Sequence, residues 1–339
     1  MNRDSARESQ NHHALVCPEC HYPLDSHDDH VSCRSCSRRY PVWLGIPDFR
    51  PERTPDGCWD EDRILPALAD RYHRTDAEGL LGTLLECIED KTPEQRETLR
   101  RYYMGELAER AQHRRALVEH LHRRAGLEPD YSQILEIGCG TGATLFEFAD
   151  QGSHAVGVDP NLLHLIIAKK RAEELGLDVD LVCGFAEGLP FQAEKFTLVN
   201  FMHTYEHFSD QARGLEEVGR VTAPGGAVSF DVPNRFSLWR EPHTRLWGIG
   251  FLPRRFTALS RIRNRTIWGL KGAADKVFGE DYELHSMLVR FEVSGYRGGR
   301  FVQSAADALR SIESMPVVGS CVRAFQPGFE VIGWKPTAV

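Results

Sequence analysis

Apolar positions set the frame of this chain. Ile134-Leu-Glu-Ile137 is a short run with Glu136 embedded, and it stops at Gly138-Cys-Gly-Thr-Gly142. That pattern predicts a buried strand, a glycine-rich turn and a helix over 143–150. Further apolar runs predict strands over His154–Asp159, Val179–Cys183, Phe196–Met202 and Ala227–Val232. Helical spacing lies between them over Asn161–Leu175 and Asp210–Val221. Strands alternating with helices point to an α/β sheet. Upstream, Asp60 to about Ala125 is charged and helical in period. Leu80, Leu81, Leu84, Leu85 and Ile88 mark one apolar face, and Leu99, Tyr103, Leu107, Leu117 and Leu121 mark a second helix from Pro93 to Arg124. Thr92-Pro93-Glu94 suits a helix start, with Thr as cap and Pro in the first turn. Near the end, Leu284–Val293 reads as helix, Arg300–Ser304 as strand and Phe329–Trp334 as a last edge strand.

The glycine turn carries the first candidate chemistry. Without side chains, backbone can close on a ligand and adopt positive φ, and the turn delivers a helix N-terminus to the carboxyl end of a strand. The next strand ends on Asp159, whose carboxylate can accept hydrogen bonds from both hydroxyls of a ribose.

Composition narrows the class. The 339 residues suffice for two or three domains. A net charge of −8 argues mildly against a protein that coats nucleic acid. Met1–His13 is polar, without the apolar core of a signal peptide, and no run approaches a membrane span, so a cytoplasmic protein is expected. Nine cysteines then suggest metal binding or buried thiols rather than disulfides. Cys17-Pro-Glu-Cys20 and Cys33-Arg-Ser-Cys36 form two C-x-x-C knuckles that can close a tetrahedral zinc shell. With four cysteine ligands no coordination position stays open, so the zinc is expected to be structural, supporting a segment too short for its own core.

Taken together, Glu136-Ile-Gly-Cys-Gly-Thr-Gly142, Val156-Gly-Val-Asp159 and Gly184-Phe-Ala-Glu-Gly-Leu-Pro-Phe191 resemble the class I S-adenosylmethionine-dependent methyltransferases of type 11-like sequence, over about Ile134–Pro233. The turn at Pro224-Gly-Gly226 follows the same pattern. The resemblance implies a Rossmann-like α/β sheet with helices on both faces, preceded by a small zinc ribbon and a helical segment. The expected division is 1–50 for the ribbon, 51–130 for a helical linker or lid, and 131–339 for the methyltransferase domain. It implies S-adenosylmethionine contacts from Glu136, Gly138, Cys139, Gly140 and Gly142, and from Asp159 and Pro160. Phe185, Ala186 and Glu187 are implied on the adenine side, with Met202 near the reacting end. The helix before the glycine turn lids the cofactor in related enzymes, which makes Tyr102 or Tyr103 a candidate contact beside plain packing. Family members carry Asp where Thr197 stands, a change expected to act on local hydrogen bonds. His113, His120 and His122 are expected to be solvated. Arg39-Tyr-Pro-Val-Trp-Leu-Gly-Ile-Pro-Asp-Phe49 resembles the ending of zinc ribbons attached to bacterial methyltransferases, and of the zinc-ribbon activator subunit of tRNA and release-factor methyltransferases.

Methyl transfer to a hydroxyl or amine needs a base, and His is the usual choice near neutral pH. His207 ranks first, His203 second and His243 third, with a structural role for His207 equally open. Ubiquinone-pathway O-methyltransferases carry E-x-x-E-H here, which implies a divalent metal. The H-x-x-E-H of His203, Glu206 and His207 could place three ligands on one helical turn. The same letters occur in zinc peptidases, but the strand-end context argues against a peptidase.

Pro233–Gly272 holds nine basic residues against Glu241, a local charge of +8, while the remainder carries 32 basic and 48 acidic residues. It is expected to insert a substrate cap over about 233–280. Asn234, Arg235, Trp239, Arg240 and Trp247 are the candidate substrate contacts, suited to an anionic acceptor. An amphipathic cap with solvated arginines is the plain alternative. The leading function is methyl transfer, with oxygen favoured, to a small-molecule, sugar or lipid-linked acceptor. An RNA methyltransferase using the ribbon and basic cap is the second reading. Ribosomal RNA guanine-N1 methyltransferases carry such a ribbon, though with His among their zinc ligands. A non-catalytic regulatory relative is the third.

Overall fold

The computed structural model describes residues 15–51, 61–88, 91–128, 130–149, 153–234, 267–286 and 328–335. The expected strand Arg300–Ser304 and most of the basic cap lie outside these residues.

A seven-stranded sheet organises the chain. Its strands are β5 (Gln133–Ile137), β6 (His154–Asp159), β7 (Val179–Cys183), β8 (Phe196–Phe201), β9 (Thr222–Pro233), β10 (Tyr282–Ser286) and β11 (Gly328–Trp334). They lie in the order β10-β11-β9-β8-β5-β6-β7. β5 to β9 run parallel where they pair, and β11 is antiparallel to both β9 and β10. Strand order reverses at β5, flanked by β6 and β8, and such switch points place ligands at the carboxyl ends. Most predicted strands and helices of the core hold within a few residues. Leu284–Val293 does not: Tyr282–Ser286 is a strand, paired residue by residue with β11, and 287–293 fall outside the described residues. Pairing with a distant strand overrode a local pattern compatible with helix.

Two hydrophobic layers cover the sheet. Leu135, Ile137, Val156, Val158, Val199 and Phe230 point to one side, which packs on α7 (Gln211–Val221) and α8 (Ile267–Phe278). Ile134, Ala155, Leu181 and Leu198 point to the other, covered by α1 (Glu61–Arg71), α2 (Ala77–Cys87) and α6 (Leu162–Leu175). Leu80, Leu81, Leu84, Leu85 and Ile88 are all buried, as their spacing predicts. No helix of the described residues is long and apolar enough to cross a membrane.

The helix predicted over Pro93–Arg124 is interrupted. Thr92 and Gln95 form a capping box that starts α3 (Pro93–Arg101), a π turn spans Tyr102–Glu106, and α4 follows over Leu107–Arg124. From α4, Arg114 enters the sheet face with a side chain fully shielded from solvent. It donates to Glu330 at 2.7 Å, to Ser229 Oγ at 3.3 Å and to Asn200 Oδ1 at 3.4 Å. β5, β8 and β9 bring Glu136, Asn200 and Ser229 into register, so the strands form a polar row beneath this cation. Such a pair is costly to desolvate and costlier to break.

His122, expected in solvent, is fully buried on α4, with neither ring nitrogen hydrogen-bonded. Its neighbours Leu117 and Leu121 pack against Ile332 of the sheet, which draws this face of the helix inward. Burial holds its pKa down at about 4, against an ordinary 6.5. Below pH 6.5 the unfolded chain takes up a proton there that the folded chain refuses until near pH 4. Stability is therefore complete above pH 6.5 and falls by up to roughly 3 kcal/mol through that window. Urea unfolding between pH 7 and pH 4.5 should show this slope, and His122→Leu should flatten it.

Candidate active site and cysteine cluster

The glycine turn sits where β5 ends. Gly138 has φ +75° and Gly140 has φ +53°, a region few side-chain-bearing residues adopt. The N–H groups of Gly138 and Cys139 both donate to Val158 O, at 2.7 and 3.1 Å, stitching the turn to β6. The two glycines differ in their surroundings. A Cβ on Gly138 would lie 2.3 Å from Thr204 Oγ1, whereas a Cβ on Gly140 would meet nothing within 4 Å. Gly138 thus lets the segment after β8 approach, and Gly140 faces open space of the kind a ligand needs.

Asp159, 8% exposed, closes the other side of this space. Its Oδ2 accepts from Gly140 N–H and its Oδ1 from Asn161 N–H, both at 2.8 Å. Burial pushes the carboxyl up to about 6, against the pull of those donors. Each oxygen keeps a further lone pair, so a ribose diol remains within its capacity. Glu136 is buried beneath the turn. Burial raises its carboxyl well above the usual range, opposed by Arg114, Thr144 and the Leu145 N–H. Its Oε2 has no hydrogen-bond partner. An orphaned buried carboxylate oxygen and an open glycine backbone fit a nucleoside ligand with polar groups.

The other expected cofactor residues differ in burial and in the partners they hold. Cys139 and Ala186 are buried, Met202 and Phe185 half-buried. Pro160 O already accepts from Arg50 Nη1 at 2.9 Å. Glu187 Oε1 accepts from Ser209 Oγ at 2.8 Å and from Asp210 N–H at 3.0 Å, so this oxygen, expected near adenine, holds the start of α7. Tyr103 packs on His164 with the rings tilted and their centroids 5.2 Å apart, at the N-terminal end of α6 just past Asp159. Thr197 exchanges hydrogen bonds with the backbone of Gln133, a local role as expected.

At the end of β8 the two candidate histidines have different surroundings. His203 has φ +47°, and one buried carboxylate holds it twice. Asp231 Oδ1 accepts its N–H at 2.6 Å, and Asp231 Oδ2 lies 3.1 Å from its Nδ1. Asp231 is fully buried, while the imidazole is 53% exposed. A backbone held in a sparsely populated region by a specific partner is a feature of functional sites. His207 is exposed on a single 3₁₀ turn, Tyr205–His207, whereas Glu206 on the same turn is fully buried. The expected metal triad of His203, Glu206 and His207 is not assembled. Among the described residues, only the four cysteines bring ligand atoms together. The turn is too short and too differently buried for three side chains to converge. Asn234 is buried at the end of β9, and Arg235, Trp239, Arg240, His243 and Trp247 lie outside the described residues.

Sequence reasoning missed Asp231 and Arg114. An acid inside the apolar run Val228-Ser-Phe-Asp-Val232 was the available signal for the first. An Arg on a charged helix gives none for the second.

The cysteine cluster is built from two matching turns. Cys17 N–H donates to Tyr22 O and His21 N–H to Cys17 O; Cys33 N–H donates to Arg38 O and Ser37 N–H to Cys33 O. His21 and Ser37, one past each knuckle, both have positive φ. The strands β1 (Leu24–Ser26), β2 (His30–Cys33), β3 (Arg39–Trp43) and β4 (Ile46–Pro47) form an antiparallel sheet around them. All four Sγ atoms lie within 4.8 Å of one another, a donor set that fits a tetrahedral thiophilic cation.

Comparison with known proteins agrees with this geometry. Residues 134–226 match the family described as a methyltransferase domain. The ubiquinone biosynthesis O-methyltransferase of Azorhizobium caulinodans is 35% identical over 124 residues, 36% of this chain and 49% of that protein. Its namesake from Nitrobacter winogradskyi is 31% identical over 103 residues, 30% of this chain and 39% of that protein. The chain thus spans less than half the length of these curated relatives. Among solved structures, Haemonchus contortus phosphoethanolamine N-methyltransferase 2 in complex with S-adenosyl-L-methionine aligns with TM-score 0.45 and 17% identity, over 65% of this chain and 52% of that one. The family match thus assigns residues 134–226, which span β5 to the start of β9, to a methyltransferase domain.

The close approach at Gly138 gives a structural test. Gly138→Ala should destabilise the fold by about 1–3 kcal/mol through strained φ and the clash with Thr204. Adding Thr204→Ala should restore part of that loss in urea unfolding, because only the clash is relieved.

Proposed function

We infer that this chain transfers a methyl group from S-adenosylmethionine to a hydroxyl of a small-molecule acceptor, with His203 as the base and Asp231 as its anchor. The observation that carries this reading is the His203–Asp231 pair at the end of β8, next to the glycine turn. Relatives named as O-methyltransferases support oxygen as the methylated atom.

The sulfonium donor supplies an electrophilic methyl carbon. Gly138, Gly140 and Asp159 would hold its nucleoside, and Ala186 with Phe185 would flank the base. Donation from Nδ1–H to Asp231 makes Nε2 the basic nitrogen of His203. The acceptor hydroxyl would give its proton to Nε2 as its oxygen bonds to the methyl carbon and the S–CH3 bond breaks, the sulfur leaving as a neutral thioether, and the Asp231 carboxylate would stabilise the imidazolium that results. Positioning of the acceptor supplies much of the remaining acceleration. Asn234 and the basic, aromatic segment after it are the proposed acceptor contacts, suited to an anionic or lipid-linked molecule. The four cysteines hold one structural zinc, leaving no coordination position for chemistry.

His203→Gln should lower kcat about 10²- to 10⁴-fold with donor affinity nearly intact, whereas His207→Ala should leave kcat within about twofold. Asp231→Asn should lower kcat and shift its acidic pH limb downward, since the imidazolium loses its carboxylate. Incubation of labelled donor with fractionated extracts tests the acceptor class: label accumulating chiefly in RNA would overturn this reading. Metal analysis of the purified chain should return about one zinc per molecule.

A further inference from the structure

The cysteine module is fastened to the methyltransferase sheet on both sides of one loop. Where the chain enters the module, Leu15 bridges Phe191 in antiparallel fashion and Val16 N–H donates to Pro190 O at 2.9 Å. Where it leaves, Asp48 forms a parallel bridge with Cys183 and Phe49 N–H donates to Cys183 O at 2.8 Å. Between these clamps lies 184–189, the loop that the donor reading places against adenine. A Cβ on Gly184 would lie 3.8 Å from Phe49 Cβ, and one on Gly188 3.5 Å from Pro18 Cβ.

From the exit strand Arg50 reaches the second half of the nucleoside site. Its guanidinium, 1% exposed, is forked by Asp48 at 2.7 and 2.9 Å and by Glu61 of α1 at 2.8 and 2.9 Å. Its remaining hydrogen bond runs from Nη1 to Pro160 O, at 2.9 Å, immediately after Asp159. Cys183 Sγ contacts the same carbonyl at 3.7 Å. The path back to the metal ligands is equally direct: Phe49 packs on Tyr40, with centroids 4.7 Å apart, and Tyr40 Oη lies 3.2 Å from Cys17 Sγ. A bidentate guanidinium between two carboxylates is a rigid element, and here it fixes a backbone carbonyl rather than a ligand.

We propose that the cysteine module forms the outer wall of the adenosine site, with Arg50 as the positioning residue of the Asp159–Pro160 turn, so that metal occupancy and donor affinity are coupled. This rests on the donor assignment above. Coupling of two binding equilibria is reciprocal. Metal in the cluster tightens the donor, and the donor tightens the metal.

The test uses the full chain, with S-adenosylhomocysteine as probe in calorimetry and a chromogenic chelator to follow metal release. Arg50→Gln should weaken S-adenosylhomocysteine about tenfold with metal content unchanged, and Arg50→Lys should recover part of the loss. Saturating S-adenosylhomocysteine should strengthen metal retention by wild type against the chelator at equilibrium, by the factor by which metal tightens the probe. Equal affinity in Arg50→Gln and wild type, with retention indifferent to the probe, would overturn the proposal. Amide exchange on ligand-free protein supplies a second readout should Arg50→Gln fail to fold. On metal removal, exchange should rise over 159–161 and 183–188 while β8 and β9 stay protected. No rise there, or a uniform rise along the chain, would also overturn it. Wild type that binds no S-adenosylhomocysteine yet shows this local exchange would refute the donor assignment and keep the mechanical link.

Discussion

One carboxylate ties the site to the sheet. Asp159 holds Gly140 N–H on one side and Asn161 N–H on the other, bridging the turn after β5 to the start of α6. Two adjacent strand ends are thereby locked at one separation, which a turn of flexible glycines could not maintain alone. Among the described residues, Asp159 is held by backbone N–H groups, with Arg50 nearby, rather than by a side-chain cation in direct contact. Burial keeps the carboxyl raised against that pull, and its outer lone pairs stay available.

Two buried arginines carry a related constraint further out. Arg114 brings α4 down onto β8, β9 and β11, and Arg50 brings the cysteine module and α1 onto the loop after β6. In both cases an upstream segment is tied to the sheet or to the turn after one of its strands by a cation that cannot leave its carboxylate partner without a large desolvation cost. Hydrophobic burial alone would let these segments slide. The forked geometry of guanidinium fixes their register, and with it the walls of the cleft.

Local signals made the central motifs readable. The glycine turn, the capping box at Thr92 and the two knuckles each depend on residues a few positions apart, where backbone geometry dictates residue type. The contrast between the two histidines was hidden for the complementary reason. His203 and His207 look alike in sequence. What separates them is the pairing of β8 with β9, which brings Asp231 beneath one and leaves the other on an exposed turn. His122 shows the same limit: a charged helix reads as solvated until the face it turns to the sheet is known.

The amino-acid order alone determined the class of sheet, the glycine turn, the acid on the next strand and a four-sulfur cluster, because each is encoded within a strand, a turn or a short loop. Tertiary structure decided which histidine acquires a carboxylate, that 282–286 joins the sheet as a strand, and that Arg114 meets Glu330 across 216 positions of chain. Those outcomes are set by strand register and by the need to pair every buried charge, and neither condition exists until distant segments have met.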